Sequence, residues 1–143
     1  MHVYSHSPFK LGGRVTMEFS AKHRARDVAP GTDDDGTVFA VESGTVAGIE
    51  GGMGPNGDHA NMVIVRGSDQ MLTIYGHVSP SVRAGAAIDE GDEIGDVDLS
   101  GDSTARHVHL ARLPGGDGTV DDVLDLDRQA KGVTFQFKTL QPW

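Results

Sequence analysis

The 143-residue chain contains no cysteine. That excludes disulfides and thiolate metal sites, so any metal must be held by histidine, aspartate or glutamate. Long apolar runs are missing too. Nothing approaches the roughly 20 residues that a membrane-crossing helix needs, and no membrane span is expected. The opening MHVYSHSPFKLGG lacks the basic region, apolar stretch and small-residue cleavage site of a signal peptide. The expectation is a protein that stays where it is made, or leaves by lysis or inside a larger particle. Lysine is scarce, 4 against 8 arginines, while the acids are mostly aspartate, 16 Asp to 5 Glu, and the net charge is −9. A chain so short of positive charge is not expected to bind nucleic acid, which needs a basic footprint. An Asp-rich, Lys-poor surface suits high salt, where repulsion is screened; the codon bias of a GC-rich genome produces the same composition.

Apolar residues make up 37% of the chain and charged residues 23%, and the length fits a single domain over 1–143. The 20 glycines punctuate short β-type runs: TVFAV (37–41), TVAGI (45–49), NMVIV (61–65), MLTIYGHV (71–78), ARHVHLARL (105–113) and VTFQFKTL (133–140). In 71–78, Leu72 and Ile74 alternate against Thr73, Tyr75 and His77. VRAGAAIDEGDEIGDV (82–97) reads as very short strands joined by tight corners. One helix is expected at most, short and near the C-terminus, in TVDDVLDLDRQA (119–130) with Thr119 as its N-cap. This pattern predicts an all-β, compact antiparallel sandwich or barrel-sandwich hybrid. Loop 51–60 reads as exposed and mobile. The acidic GTDDDG (31–36) lacks the ligand spacing and closing glutamate of a calcium loop.

Chemistry-bearing residues gather in three places. In HVH, His107 and His109 share one face of a strand, while Val108 and Leu110 share the other. In HRARD, His23 and Asp27 share a face of an extended segment across the small Ala25, and Arg24 and Arg26 point away. His77 ends an alternating strand in YGH. Taken singly, each reads as readily as an ordinary surface or half-buried residue. Together they supply three protein ligands with an open position, the pattern of a catalytic zinc, and two further imidazoles for proton transfer and oxyanion stabilisation.

The order H-x-x-x-D, Y-x-H, H-x-H resembles the lysostaphin-type zinc endopeptidases that cut peptidoglycan cross-bridges and stem peptides. DVAPGTDDDGTVFAVESGTVAGIE, NMVIV, LTIYGHVS and VRAGAAIDEGDEIGDVDLSGDSTARHVHL resemble that family's text in order, over about 13–113, leaving 114–143 as a C-terminal extension. The resemblance implies a Zn2+ site of His23, Asp27 and His109 in a groove of a duplicated hybrid-motif fold, with His77 and His107 as the catalytic, non-ligand histidines. It implies zinc that acidifies water and polarises the scissile carbonyl, His107 as general base, and His77 as oxyanion donor or sharer of the base role. Departures from the family pattern are Ala25, Arg26, the Leu110–Ala111 pair after the last ligand, and VTMEFSAKHRARD, in which the family's F-G-x-R segment is not recognisable. No ligand or catalytic histidine is lost. Arg24, Arg26 and Arg106 would oppose a metal if they turned inward.

The expected function is a zinc endopeptidase acting on peptides of cell-wall peptidoglycan or another cell-surface polymer. The context expected is phage or viral, with a virion-associated or lysis enzyme acting at the host envelope. The alternative is a structural tail-tip or baseplate component, with Phe135, Phe137, Leu140 and Trp143 docking on virion tail proteins. A non-catalytic carrier or binding barrel is a third reading, disfavoured by the His23–Asp27 pair. The groove walls are expected from 51–60 and 114–118.

Overall fold

The β-branched runs place apolar side chains on both faces of one large sheet, and both faces are buried. The computed structural model describes residues 1–103 and 105–143; Thr104, part of the matched text DSTARHVHL, lies outside the described residues. Along the chain run β1 (His2–Tyr4), β2 (Arg14–Met17), β3 (Arg26–Ala29), β4 (Thr37–Phe39), β5 (Gly44–Glu50), β6 (Met62–Arg66) and β7 (Leu72–Gly76). Then follow β8 (Val78–Pro80), β9 (Ala87–Ile88), β10 (Glu93–Val97), β11 (Val108–Leu113), α1 (Val120–Leu124), α2 (Leu126–Gln129) and β12 (Phe135–Phe137). Seven strands form the main sheet in the order β2-β3-β11-β7-β6-β5-β9, three form a second sheet, β4-β10-β8, and β1 pairs with β12. All pairings in the two larger sheets are antiparallel. The all-β sandwich expected from the sequence is the fold observed.

Alternation along β6 and β7 divides the core. Val63, Val65 and Tyr75 join Val38, Val78, Ile94 and Val97 of the small sheet. Ile64, Leu72 and Ile74 join Val123 and Leu124 on the opposite face, under the helices. Strands buried on both faces therefore read as continuous apolar runs rather than as half-polar ones.

The helical stretch comes as two short helices, not one. Thr119 accepts the Asp122 amide at 3.1 Å, the expected N-cap. Asp125 then leaves helical geometry (ψ 122°) and caps the second helix by accepting from the Arg128 amide at 3.0 Å, because aspartate competes well for the free N–H groups of a helix start. Among the described residues no helix is long and apolar enough to cross a membrane.

The C-terminal segment packs on its own chain. β12 is shorter than the predicted 133–140 strand and runs parallel to β1. Phe135 is fully buried, edge-on to Tyr4 and Phe19 with ring centroids 5.1 Å apart in each case. Trp143 stacks on His6 at 3.8 Å and donates from Nε1 to the Phe9 carbonyl at 2.9 Å. The three aromatics expected to dock on a partner thus have partners within the chain, Phe137 lying against Tyr4 and Phe135. Beside them, Arg112, 4% exposed, faces Glu42 at 3.4 Å and also binds Asp69, while the Tyr4 hydroxyl meets Thr73 at 2.8 Å.

Candidate metal centre

β3 and β11 are neighbours, and their register sets Asp27 directly beside His109. On the other side of β11, His109 lies opposite Gly76 of β7. A side chain at Gly76 would press its Cβ to 3.2 Å from the His109 Cβ, so glycine there makes room for the imidazole. His23 sits in a short turn closed by reciprocal Ser20–His23 backbone bonds of 2.8 and 3.2 Å; the extended run expected over 23–27 begins only at Arg26. Asp27 Oδ1 lies 3.2 Å from His23 Nε2 and 3.1 Å from His109 Nδ1. Donor atoms of His23, Asp27 and His109 all fall within 4.8 Å of one another.

The chemistry of this set fits a cation. His23 directs Nδ1 to the Glu18 carbonyl at 3.2 Å, an acceptor that requires the proton on Nδ1. In the neutral ring, Nε2 then turns a lone pair toward a carboxylate oxygen, an arrangement that needs a proton or a metal ion between the two. Two imidazole nitrogens and a carboxylate are a donor set that zinc takes. Burial, the largest influence on Asp27, would raise its pKa; the hydrogen bond from His109 and the charges of His109, His107 and His23 outweigh it, and the carboxyl lies below its ordinary value. The three arginines bond elsewhere than to Asp27. Arg24 Nε donates to the Gly132 carbonyl at 3.2 Å, Arg26 Nε donates to Glu18 at 2.7 Å, and Arg106 reaches the Asp35 carbonyl at 3.2 Å.

The other two histidines close the cluster. His107 Nε2 lies 3.5 Å from Asp27 Oδ2, and its Nδ1–H donates to the Ala105 carbonyl at 2.8 Å. His77 Nδ1–H donates to the Ser100 carbonyl at 2.8 Å, and its ring centroid is 4.9 Å from that of His107. Both Nδ1–H groups are therefore fixed, which directs each Nε2 into the site, that of His107 toward Asp27 Oδ2. Burial is the main reason the His77 pKa lies below the usual imidazole value; the Ser100 bond opposes that shift, and His107 and His109 reinforce it.

The face expected for His77 was wrong. The strand over 71–78 breaks at His77, whose φ is +62°, a left-handed conformation uncommon outside glycine and costing about 1–2 kcal/mol. The break cancels the alternation. Tyr75 enters the core, its hydroxyl accepting from the Val41 amide at 2.9 Å, while His77 lines a cavity with Ile74, Gly76 and His109. This cavity, about 320 Å³, is lined by Ala60 and by residues of α1 and α2, Val123, Leu124 and Leu126 among them. Part of its lining is thus helical. The 114–118 segment expected there is drawn off toward Arg66, whose Nη2 donates to the Gly116 carbonyl at 2.7 Å.

Sequence reasoning passed over the supports of His77, namely Asn61, Asp98 and Ser100. Asn61 heads the NMVIV run, and Asp98 and Ser100 lie within the matched DVDLSGDSTARHVHL text, but none of the three carries a site expectation there.

The chain matches a profile of peptidase family M23 over residues 21–120. Among solved structures it is similar to a catalytic-domain mutant of the prophage-encoded M23 protein EnpA from Enterococcus faecalis, at 26% identity and TM-score 0.57, covering 75% of this chain and 79% of that one. It is similar to the antimicrobial peptidase lysostaphin from Staphylococcus simulans, at 23% identity and TM-score 0.61, covering 87% of this chain and 54% of that one. A zinc-containing peptidase from Vibrio cholerae shares the fold at 17% identity and TM-score 0.60, with 90% of this chain and 39% of that one covered. The chain thus spans about half of lysostaphin's length and about two fifths of the Vibrio peptidase. With the profile running through β3, β7 and β11, the strands that carry or adjoin the histidine–aspartate cluster, the chain belongs to peptidase family M23.

Proposed function

We propose that this chain is a zinc-dependent endopeptidase that hydrolyses peptide bonds of cell-wall peptidoglycan or another cell-surface polymer. The observation that carries this reading is the convergence of His23, Asp27 and His109 donor atoms within 4.8 Å, with two more imidazoles whose Nδ1–H groups are tied to backbone carbonyls. Membership of a peptidase family supports the class of reaction. The relative from Staphylococcus is described as an antimicrobial peptidase and that from Enterococcus as prophage-encoded, which supports a wall substrate and a virion-associated or lysis role at the host envelope.

In this reading His23, Asp27 and His109 hold the metal, and His77 and His107 are the catalytic residues. Zinc at this place supplies Lewis acidity toward a peptide carbonyl and toward water. The rest is done by the chain. His107 presents the Nε2 lone pair as general base, takes the proton of the attacking water and delivers it to the leaving amine. His77, whose burial favours the neutral imidazole, offers a second Nε2 acceptor to share that role; once protonated it donates to the carbonyl oxygen as negative charge develops there. Met62, Ile74 and Ala111 give the cavity beside His77 and His109 an apolar lining.

The test is metal content after purification without chelator, for wild type and His109→Ala, followed by release of soluble fragments from purified peptidoglycan. One equivalent of zinc in wild type, lost in His109→Ala, with hydrolysis abolished in a zinc-loaded His107→Ala variant, is the expected result. A wild type that takes up no zinc even when it is supplied overturns the reading.

A further inference from the structure

The backbone and the Nδ1 of His77 are held by one small network. Its amide donates to the Asn61 carbonyl at 2.9 Å, its carbonyl accepts from the Asp98 amide at 2.8 Å, and its Nδ1–H donates to the Ser100 carbonyl at 2.8 Å. Asn61 and Ser100 are 4% and 2% exposed, and the residue that ties them together is Asp98. Asn61 Nδ2 donates to Asp98 Oδ2 at 2.8 Å, the Ser100 amide donates to Asp98 Oδ1 at 2.9 Å, and the Ser100 hydroxyl donates to the same oxygen. The Ser100 hydroxyl in turn accepts from the Asn61 amide at 2.8 Å. The network continues into the groove wall: Asn61 Oδ1 accepts from the Met53 amide at 2.7 Å, and Nδ2 donates to the Met53 carbonyl at 2.9 Å.

We propose that Asp98 is a positioning residue, whose carboxylate holds Asn61 and Ser100 so that Ser100 fixes the ring tautomer of His77 and Asn61 fixes the 51–60 wall beside it. The argument is geometric. An imidazole in an irregular left-handed link has no strand ladder to orient it, so its ring direction depends on the carbonyl that receives Nδ1–H. That carbonyl belongs to a residue held at both its amide and its hydroxyl by one carboxylate. The network is closed: each donor meets an acceptor, the condition under which a buried polar cluster rigidifies rather than weakens its surroundings. Asp98 touches none of His23, Asp27 and His109, so its effect is separable from metal binding. The catalytic part of the proposal rests on the peptidase reading; the positioning part does not.

The test is ¹⁵N NMR of the histidine rings in metal-free protein at about pH 8, for wild type, Asp98→Ala and the milder Asp98→Asn. Asparagine sets an amide N–H toward Asn61 Nδ2 or toward Ser100, losing part of the network with little change of volume. Wild-type His77 is expected in the Nδ1–H form, with a measurable Nε2–H population appearing in both variants while His107 stays unchanged. Zinc content should match wild type, and kcat on wall substrate should fall about 10- to 100-fold with KM little altered, the range for losing an outer partner of a site. A folded variant with the wild-type His77 tautomer overturns the proposal, as does a wild-type His77 found in the Nε2–H form. A tautomer shift in a protein whose wild type hydrolyses nothing supports the positioning and removes the peptidase reading instead.

Discussion

Replacing Phe135 by alanine tests whether the C-terminal segment unfolds together with the rest of the domain. Phe135 is fully buried in the main core, edge-on to Tyr4 and Phe19. Phe→Ala in such a site costs about 3–5 kcal/mol, and the two aromatic pairs favour the middle of that range or above, about 4 kcal/mol. At an unfolding entropy of about 2.1 cal/mol/K per residue, a chain of this length carries about 0.3 kcal/mol/K, so the midpoint should drop by about 13 °C. Scanning calorimetry with urea titration measures both numbers. Leu126→Ala, at a side chain 78% exposed, is the control and should stay within about 0.5 kcal/mol of wild type. The expected trace for Phe135→Ala is one transition, moved down whole. A loss below about 1 kcal/mol refutes the reasoning. So does a trace that splits, with the segment melting early and the remainder at the wild-type temperature, because 114–143 would then be an appendage and not part of one cooperative unit.

Three further outcomes are expected. Arg112→Ala should cost about 3–5 kcal/mol, because Glu42 would be left in a partly buried site without its cation; Arg112→Met with Glu42→Gln should recover much of the loss, and chemical denaturation decides. Acid should destabilise the metal-free protein through Asp27. Its folded pKa lies below the unfolded value, so the folded chain binds fewer protons between the two. The stability it contributes is present above the unfolded carboxyl value of about 3.9 and is lost as pH falls through the folded value. Asp27→Asn should flatten that limb of a urea-midpoint series taken from pH 5 downward, and an unchanged slope contradicts the assignment. Zinc at 100 times its Kd should stabilise wild type by about 2.7 kcal/mol and leave the midpoint of His109→Ala where it was.

The sequence disclosed the sandwich because its signals were local. Apolar runs such as NMVIV and LTIY have side chains to bury on both faces, and period-two alternation forced His107 and His109 to one side. The cluster was legible for the same reason in β11. It was less so around His77, where pleating predicts company with Tyr75; a histidine at φ +62° carries no mark in the sequence, as a glycine would. The helix broke where Asp125 prefers capping to helical geometry, a choice decided by the competition of one side chain with one turn of backbone. The 51–60 loop has the composition of a mobile segment, yet Asn61 anchors Met53 on both its amide and its carbonyl. Long-range bonds of that kind, from 53 through 61 to 98 and 100, join residues that no periodicity links.

The parallel pairing of β1 with β12 also decides how the domain meets mechanical load. Force drawn through the two ends of the chain would first peel the last residues away from Lys10, where the Trp143 amide is bonded at 2.9 Å. It would then act along β1 and β12 in opposite directions. Because the strands run the same way, the pull slides one past the other, and the interstrand bonds are strained together instead of opening one at a time as in a zipper. A tethered copy would hold under tension until the ladder yields at once, and its lifetime would follow the unfolding barrier rather than the equilibrium stability.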